Sequence, residues 1–518
     1  MFALIILGGA LLRTLAIDSV PLWGDEALTL LIAKWPVGPL MLQTVDPTPG
    51  LYYLLHKVFV PDSANVAEVR SISLVCGIAL IPLSAFFGSI LGGRNAGLWT
   101  AGLVSLSAAL IDYSQEARAY ALLTLLIMLS AVGLLLTMRT IDRSARFDAR
   151  WAAIFAASAV LAFYTHFVAL FWIGPAAGVM LFKAHRCDSK AVWQGTRLML
   201  LTMILLSMPG AARLVASLAI GVRFEWLPQA TPIQFLAMLG EQVLPLGRWS
   251  PKPSEPGSAI SVVALLAAVI IGSLVRRRSS DRSHGWCSAY PEGAPILGIF
   301  LILPFCLWLF GEFSKPIFMP RTMLWAVPGY MTMIALFLNQ LNQSWMRVSI
   351  GLAYAASLAV SGTVRIDRQD TRPFQRDIQR LQQSGDAIMV CRTWRAPELR
   401  HAAIAPIPMP LLVPLDHDIA LIETQFGYTP DWEERFGWIV RRPVPGPQHR
   451  LISTSGRVWL LASLCEQHDW TMINGWLGPG RWVRLREDPP AALLPVVLWR
   501  FDPASPPRRR AVLDYSAG

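Results

Sequence analysis

The 518-residue sequence predicts a polytopic α-helical membrane protein, with about eleven transmembrane helices over residues 1–363 and a soluble α/β domain over residues 364–518 on the extracytoplasmic face. Three observations predict it. Hydrophobic residues make up 54% of the chain and charged residues only 15%, and the mean hydropathy is +0.46. Soluble domains carry about 25% charged residues. Apolar runs recur at lengths close to those that cross about 30 Å of hydrocarbon. These runs stop near Val364, and shorter mixed stretches follow. The composition excludes an ordinary cytosolic enzyme. It also excludes a disordered chain, which would be poor in apolar residues and rich in charge.

Taken in order, the expected spans are Met1–Ile17, Ser71–Leu91, Ala96–Asp112, Tyr120–Met138, Trp151–Tyr164, Phe167–Phe182, Leu198–Met208, Ala259–Val275, Ala294–Phe310, Thr322–Leu338 and Val348–Thr363. The first is short and contains Arg13, and Leu198–Met208 is also short. The N-terminus lacks a basic n-region and an A-x-A cleavage site, so it reads as a retained helix rather than a signal peptide. The net charge of +11 sits largely in short loops between apolar runs, so it reads as a topology signal and no nucleic-acid partner is expected. With the N-terminus in the cytoplasm, the inner loops hold 14 Lys/Arg in 56 residues and the outer segments 10 in 117. Arg276–Arg278 then lie inside, and the odd number of spans puts the C-terminal domain outside.

That domain opens with a polar stretch, Arg365–Gln383, which reads as a helix. The turn Ser384-Gly385-Asp386 and the apolar run Ala387–Cys391 follow, a helix, stop and strand in sequence. Arg457–Leu464 and Arg481–Leu485 read as further strands. Pro406–Pro414 reads as loop, and the last twenty or so residues as frayed. None of the six cysteines is spaced as CxxC; Cys391 and Cys465 share the soluble stretch and could pair.

Several short clusters at the outer ends of the spans carry candidate chemistry. Asp25 and Glu26, in Trp23-Gly24-Asp25-Glu26-Ala27, follow the first span. They suit a general base at the membrane rim, and equally an acidic helix N-terminus. Asp46, in Asp46-Pro47-Thr48-Pro49-Gly50-Leu51-Tyr52-Tyr53, could hold a divalent cation, order an acceptor, or cap the helix that follows. In Tyr113-Ser114-Gln115-Glu116-Ala117-Arg118-Ala119-Tyr120, Arg118 could take a phosphate bidentately with Glu116 orienting it. Alternatively, the two could form an interfacial pair. His166 in Tyr164-Thr165-His166 fits a ligand or a structural hydrogen bond. Arg321 in Pro320-Arg321 fits a headgroup anchor or a contact to a lipid-linked phosphate.

Together these clusters resemble bacterial membrane glycosyltransferases of the GT-C fold. In pattern they are similar to the family 39-like proteins, related to protein O-mannosyltransferases and lipid A aminoarabinose transferase. The resemblance covers about residues 1–390. It implies a transferase of the bacterial cytoplasmic membrane that takes a sugar from a polyprenyl-phosphate carrier and inverts the anomeric centre. The acceptor would be a glycan, lipid or protein. It implies Asp25 as base with Glu26 beside it, and Asp46 as a second acidic position that in some relatives binds a metal. Tyr52, Tyr53, Glu116, Arg118, His166 and Arg321 would contact substrate. Many relatives read His-Pro-Pro where this chain has Thr48-Pro49-Gly50. The alternative class is a transporter or flippase of lipid-linked glycans, but the chain shows neither internal repeats nor mid-membrane charge clusters.

Overall fold

The computed structural model describes residues 1–42, 48–61, 63–219, 230–232, 234–236, 293–313, 317–341, 343–362, 372–383, 386–390, 411–414, 439–441, 457–462, 465, 470–471, 473–474, 477, 479–487 and 497–504. The chain divides into two compact units. One comprises Met1–Ile17 and Trp35–Ile366; the other comprises Asp18–Lys34 and Asp367–Gly518.

The first unit is helical. Its elements are α1 (Phe2–Thr14), α3 (Val37–Leu42), α4 (Leu51–Phe59), α5 (Val66–Val69), α6 (Ser71–Leu106), α7 (Ala108–Ser114), α8 (Tyr120–Ser144), α9 (Ala149–Thr165), α10 (Leu170–Arg186), α11 (Lys190–Ala219), α12 (Ala294–Phe313), α13 (Pro320–Met323), α14 (Val327–Gln340) and α15 (Ser344–Gly362). Helix α2 (Gly24–Ala33) belongs to the other unit. Among the described residues six stretches are long and apolar enough to cross a membrane: Ser71–Leu106, Tyr120–Ser144, Phe167–Arg186, Lys190–Val215, Ala294–Phe313 and Arg321–Gln340. Helices α1 and α9 are shorter apolar helices. The expected span Ala259–Val275 lies outside the described residues. The protein is thus a polytopic, largely helical membrane protein with a small C-terminal sheet domain.

Helix α6 contains the expected span Ser71–Leu91 and most of the next, Ala96–Asp112, whose end falls in α7. It breaks at Gly93, whose φ of 78° lies in the left-handed region that glycine adopts without a Cβ penalty. The two arms then fold back on each other. A Cβ at Gly97 would stand 2.7 Å from the Ala85 carbonyl oxygen, so only glycine allows this approach. Helix α8 is the most enclosed of the long helices and packs against α6, α9 and α10. The helices alternate up and down. Asn339 at the end of α14 donates to the Gly92 carbonyl at 3.0 Å, and Lys183 of α10 pairs with Asp142 of α8. These contacts belong to the end of the bundle that carries the basic loops.

In the second unit, helix α16 (Arg372–Leu381) precedes a six-stranded sheet. Its strands are β1 (Ala387–Val390), β2 (Leu411–Pro414), β3 (Ile439–Arg441), β4 (Val458–Ala462), β5 (Gly480–Glu487) and β6 (Val497–Pro503), in spatial order β3-β2-β1-β4-β6-β5. β1 to β4 run parallel and β6 is antiparallel to both β4 and β5. The expected strands at Ala387, Arg457 and Arg481 are present. Two expectations are corrected. Leu411–Pro414, inside the stretch read as loop, is an interior strand. Its Leu-Leu-Val run is apolar by sequence, and its proline stands at the strand end. Val497–Pro503 reaches into the stretch expected to fray, and pairing on both sides holds it. Cys465 is disulfide-bonded; Cys391 lies outside the described residues.

Asp386 ties helix to sheet. Its buried carboxylate accepts from the Gln383 amide at 2.8 Å, Trp459 Nε1 at 2.8 Å, and the amide, Nε and Nη2 of Arg457 at 3.2, 3.3 and 2.9 Å. Arg457 Nη2 also donates to the Leu381 carbonyl, the last of α16, at 2.7 Å. Burial alone would raise the Asp386 pKa, but the bonds from Arg457 and Trp459 outweigh it and hold the carboxyl below its ordinary value. The folded pKa therefore lies below the unfolded one. The stability Asp386 confers is present above about pH 4 and is lost as pH falls through the depressed value. Asp386→Asn should cost about 3 kcal/mol, as for one partner removed from a buried pair. Urea unfolding of the full chain followed by tryptophan fluorescence should show that loss near neutral pH, with a weaker acid dependence in the variant.

Candidate active site

The end of the bundle opposite the basic loops is held by reciprocal capping. Arg13, at the end of α1, is fully buried. Its Nη2 donates to the Val104 carbonyl at 2.9 Å and its Nη1 to Ser105 at 3.1 Å and Gly9 at 3.0 Å. Val104 and Ser105 sit in the last turn of α6, where the helix stops at extended Ser107 and leaves carbonyls without helical donors. In return, Gln115 just beyond α7 donates from Nε2 to the carbonyls of Arg13 and Leu15, both at 2.9 Å, at the end of α1. Arg70 adds a bond to the Ile17 carbonyl. The one charged side chain of the first expected span is thus its anchor.

On this frame, three of the sequence clusters converge around Tyr120, the first residue of α8. The Tyr113 ring meets Tyr120 edge-on at 5.5 Å between centroids, and the His166 ring lies 5.6 Å away. The Arg321 guanidinium stands 5.9 Å from the same ring centroid, in cation–π range. Arg321 is placed there by the start of α13. Thr322 Oγ1 accepts from the Met319 amide at 3.0 Å, and Pro320 opens the helix where its missing N–H costs nothing. His166 is the corner between α9 and the 3-10 turn Phe167–Ala169. Its Nδ1 accepts from the Val168 amide at 3.2 Å, which assigns the ring proton to Nε2. Tyr113 also registers its neighbours electrostatically. Burial first, then the Glu116 carboxylate, push its phenol well above the ordinary value, while Arg321 pulls it down.

The Gln115–Arg118 turn is itself buried, with Glu116 at 4% and Arg118 at 6% exposure. Such burial disfavours an exposed, snorkelling arginine. The Arg118 carbonyl accepts from Ser73 Oγ at 3.2 Å, and Ser73 lies 2.7 Å from the Tyr52 hydroxyl. Since the serine proton is engaged, Tyr52 is the donor. Tyr52 and Tyr53 are both fully buried in α4, and Tyr52 joins that helix to the turn.

Asp25 and Glu26 lie in the first turn of α2, in the other unit. Glu26 is fully buried and reaches back to accept from the Trp23 amide at 3.3 Å, a helix-start contact. Asp25 is partly buried, and its carbonyl accepts from Thr29 Oγ1 at 3.0 Å. Asp46 lies outside the described residues. Among the described residues no three His, Cys, Asp or Glu side chains group as a metal site would require.

Sequence reasoning did not single out Arg213 of α11. It is buried, donates from Nη2 to the Thr48 carbonyl at 2.8 Å, and stands 5.7 Å from the Phe167 ring centroid beside His166. The signal was present as a lone arginine closing an apolar run, a position that marks function in membrane helices.

No protein-family model matches the chain, and no curated protein matches it. Among solved structures, ArnT from Cupriavidus metallidurans bound to undecaprenyl phosphate aligns with a TM-score of 0.57 at 14% identity, covering 96% of this chain and 97% of that one. The apo state of ArnT from the same organism aligns with a TM-score of 0.57 at 13% identity and the same coverage. The likeness is one of fold alone, and it extends over nearly the whole length of both chains.

Gln115→Leu should strip the end of α1 of its donors and lower the stability of the bundle by about 1–3 kcal/mol. Gln115→Glu should do no better, because an ionised carboxylate cannot donate to carbonyls. Thermal unfolding in detergent of both variants beside Gln115→Asn, which keeps the donors, checks this.

Proposed function

We propose that the protein is an integral membrane glycosyltransferase, family 39-like in kind. It would move a sugar from a polyprenyl-phosphate carrier to an acceptor at the extracytoplasmic face of the bacterial cytoplasmic membrane. One observation carries the reading. Arg321, Tyr120, His166 and the Glu116 turn, drawn from distant parts of the chain, meet at one end of a bundle with the fold of ArnT. That transferase-like fold extends over nearly the whole length of both chains. The cluster lies opposite the basic loops, which the positive-inside rule assigns to the cytoplasm. ArnT was solved with undecaprenyl phosphate bound, a carrier of the class proposed here.

In the proposed reaction the acceptor hydroxyl attacks the anomeric carbon on the face opposite the carrier phosphate. The new carbon–oxygen bond forms as the bond from the anomeric carbon to the phosphate oxygen breaks. The electron pair leaves on the phosphate, the configuration inverts, and the hydroxyl proton passes to Asp25. Arg321 and Arg118 supply donors for the charge that develops on the departing phosphate. His166, with its proton on Nε2, adds a neutral donor at the same end. Glu26 is engaged at the start of its helix, which favours Asp25 over Glu26 as the base.

A purified sample given polyprenyl-phosphate sugar and acceptor should release free carrier phosphate. Asp25→Asn should slow this by about 10²–10⁴-fold, the usual contribution of a general base. An undiminished rate in Asp25→Asn would remove the base assignment. Movement of intact glycolipid across vesicles without release of carrier phosphate would favour a flippase.

A further inference from the structure

We propose that Arg213 is a positioning residue, held by Tyr164, that fixes the Thr48-Pro49-Gly50 turn at the candidate active site. The proposal rests on the function put forward above and extends it to residues outside the substrate contacts.

Thr48 is buried just before α4, and Pro49 next to it has no N–H. A backbone oxygen enclosed in an apolar bundle must find a partner within the protein. Arg213 Nη2 provides it at 2.8 Å. The turn so held lies between two candidate site residues in sequence, Asp46 before it and Tyr52 after it. Its other side reaches the site as well, because Tyr52 bonds Ser73, and Ser73 bonds the Arg118 carbonyl. The same guanidinium lies over Phe167, directly after His166. Arg213 therefore joins two corners of the site that no stretch of local sequence connects.

What aims Arg213 is a second device, one turn earlier in α11. Tyr164 donates its hydroxyl to the Leu206 carbonyl at 2.7 Å and accepts from the Gly210 amide at 3.3 Å. In an uninterrupted helix the Gly210 amide would bond Leu206 directly. The tyrosine hydroxyl bridges that pair beside Pro209, which has no amide proton of its own to give. Glycine is needed for the approach. A Cβ at residue 210 would stand 2.8 Å from Phe163 Cε1 and 3.1 Å from Tyr164 Cε1. Tyr164 thereby sets the register of the last turns of α11, and Arg213 is three residues on. The contact to Thr48 is to backbone, so Arg213 acts through the turn rather than on the carrier.

Hydrogen exchange by mass spectrometry on the full chain in detergent reads the turn without reference to activity. Arg213→Met should speed exchange at residues 50–56 by about tenfold, as expected for loss of one charge-assisted hydrogen bond. Arg213→Lys should restore most of the protection, and Tyr164→Phe should give an intermediate rate. In the transfer assay Arg213→Met should lower kcat while KM for the carrier-linked sugar stays within about twofold, the pattern of lost alignment rather than lost binding. Unchanged exchange at residues 50–56 in a folded Arg213→Met protein would overturn the proposal. So would a raised KM with unchanged kcat, which would make Arg213 a carrier ligand. If the wild-type protein releases no carrier phosphate from any polyprenyl-phosphate sugar, the proposed function fails, and the exchange result alone decides whether Arg213 holds the turn.

Discussion

Where a helix stops inside an apolar bundle, its last carbonyls have neither water nor a next turn to bond them. The end of this bundle is organised around that constraint. Arg13 supplies donors to the end of α6, and Gln115 supplies them to the end of α1. The exchange permits the break at Ser107, and the break permits the short helix α7 and the tight turn after it. Because Gln115 is part of that turn, the bond that stabilises α1 also fixes where Glu116 and Arg118 begin. A buried guanidinium is costly to desolvate, and here backbone carbonyls hold both of its terminal nitrogens. No carboxylate is needed to hold it.

The candidate site is built on helix starts and corners rather than on helix middles. Tyr120 opens α8, Arg321 opens α13, and His166 separates α9 from a 3-10 turn. The two helix starts carry backbone amides without helical acceptors and favour negative charge nearby. An arginine laid on the face of a tyrosine is oriented by the ring's electron-rich face. Aromatic residues at a bilayer boundary tolerate both apolar and wet surroundings, which suits Tyr113 and Tyr120 to this end of the bundle.

Much of this was legible in the sequence because it depends on local pattern. Apolar runs marked the helices, and the loop Gly92–Asn95 fell where Gly93 turns the chain back. The clusters holding Tyr113, Tyr120, His166 and Arg321 were visible as motifs, and their distances apart were not. What stayed hidden depends on partners far away along the chain. The bonds of Arg13, Gln115 and Arg213 span 92, 102 and 165 residues, and nothing in a local window announces them. Glu26 was read as a partner of Asp25 in catalysis, whereas its carboxylate also serves the start of its own helix. β2 was read as loop because the prolines around it outweighed three apolar residues. Only the sheet around that run reveals it as a strand.

The sheet order bears on how the chain is made. β1 is flanked by β2 and by β4, and the residue before β1, Asp386, is tied to Arg457 across 71 positions. Pairings this remote carry a loop-closure cost that must be met before any contact repays it. As the chain is made, β1 therefore waits beside a vacant edge until β4 has followed it. The C-terminal unit matures late, after the helices upstream have had time to associate. In that interval an exposed apolar strand is a target for chaperones and proteases, and the rate at which β4 follows β1 becomes a determinant of yield.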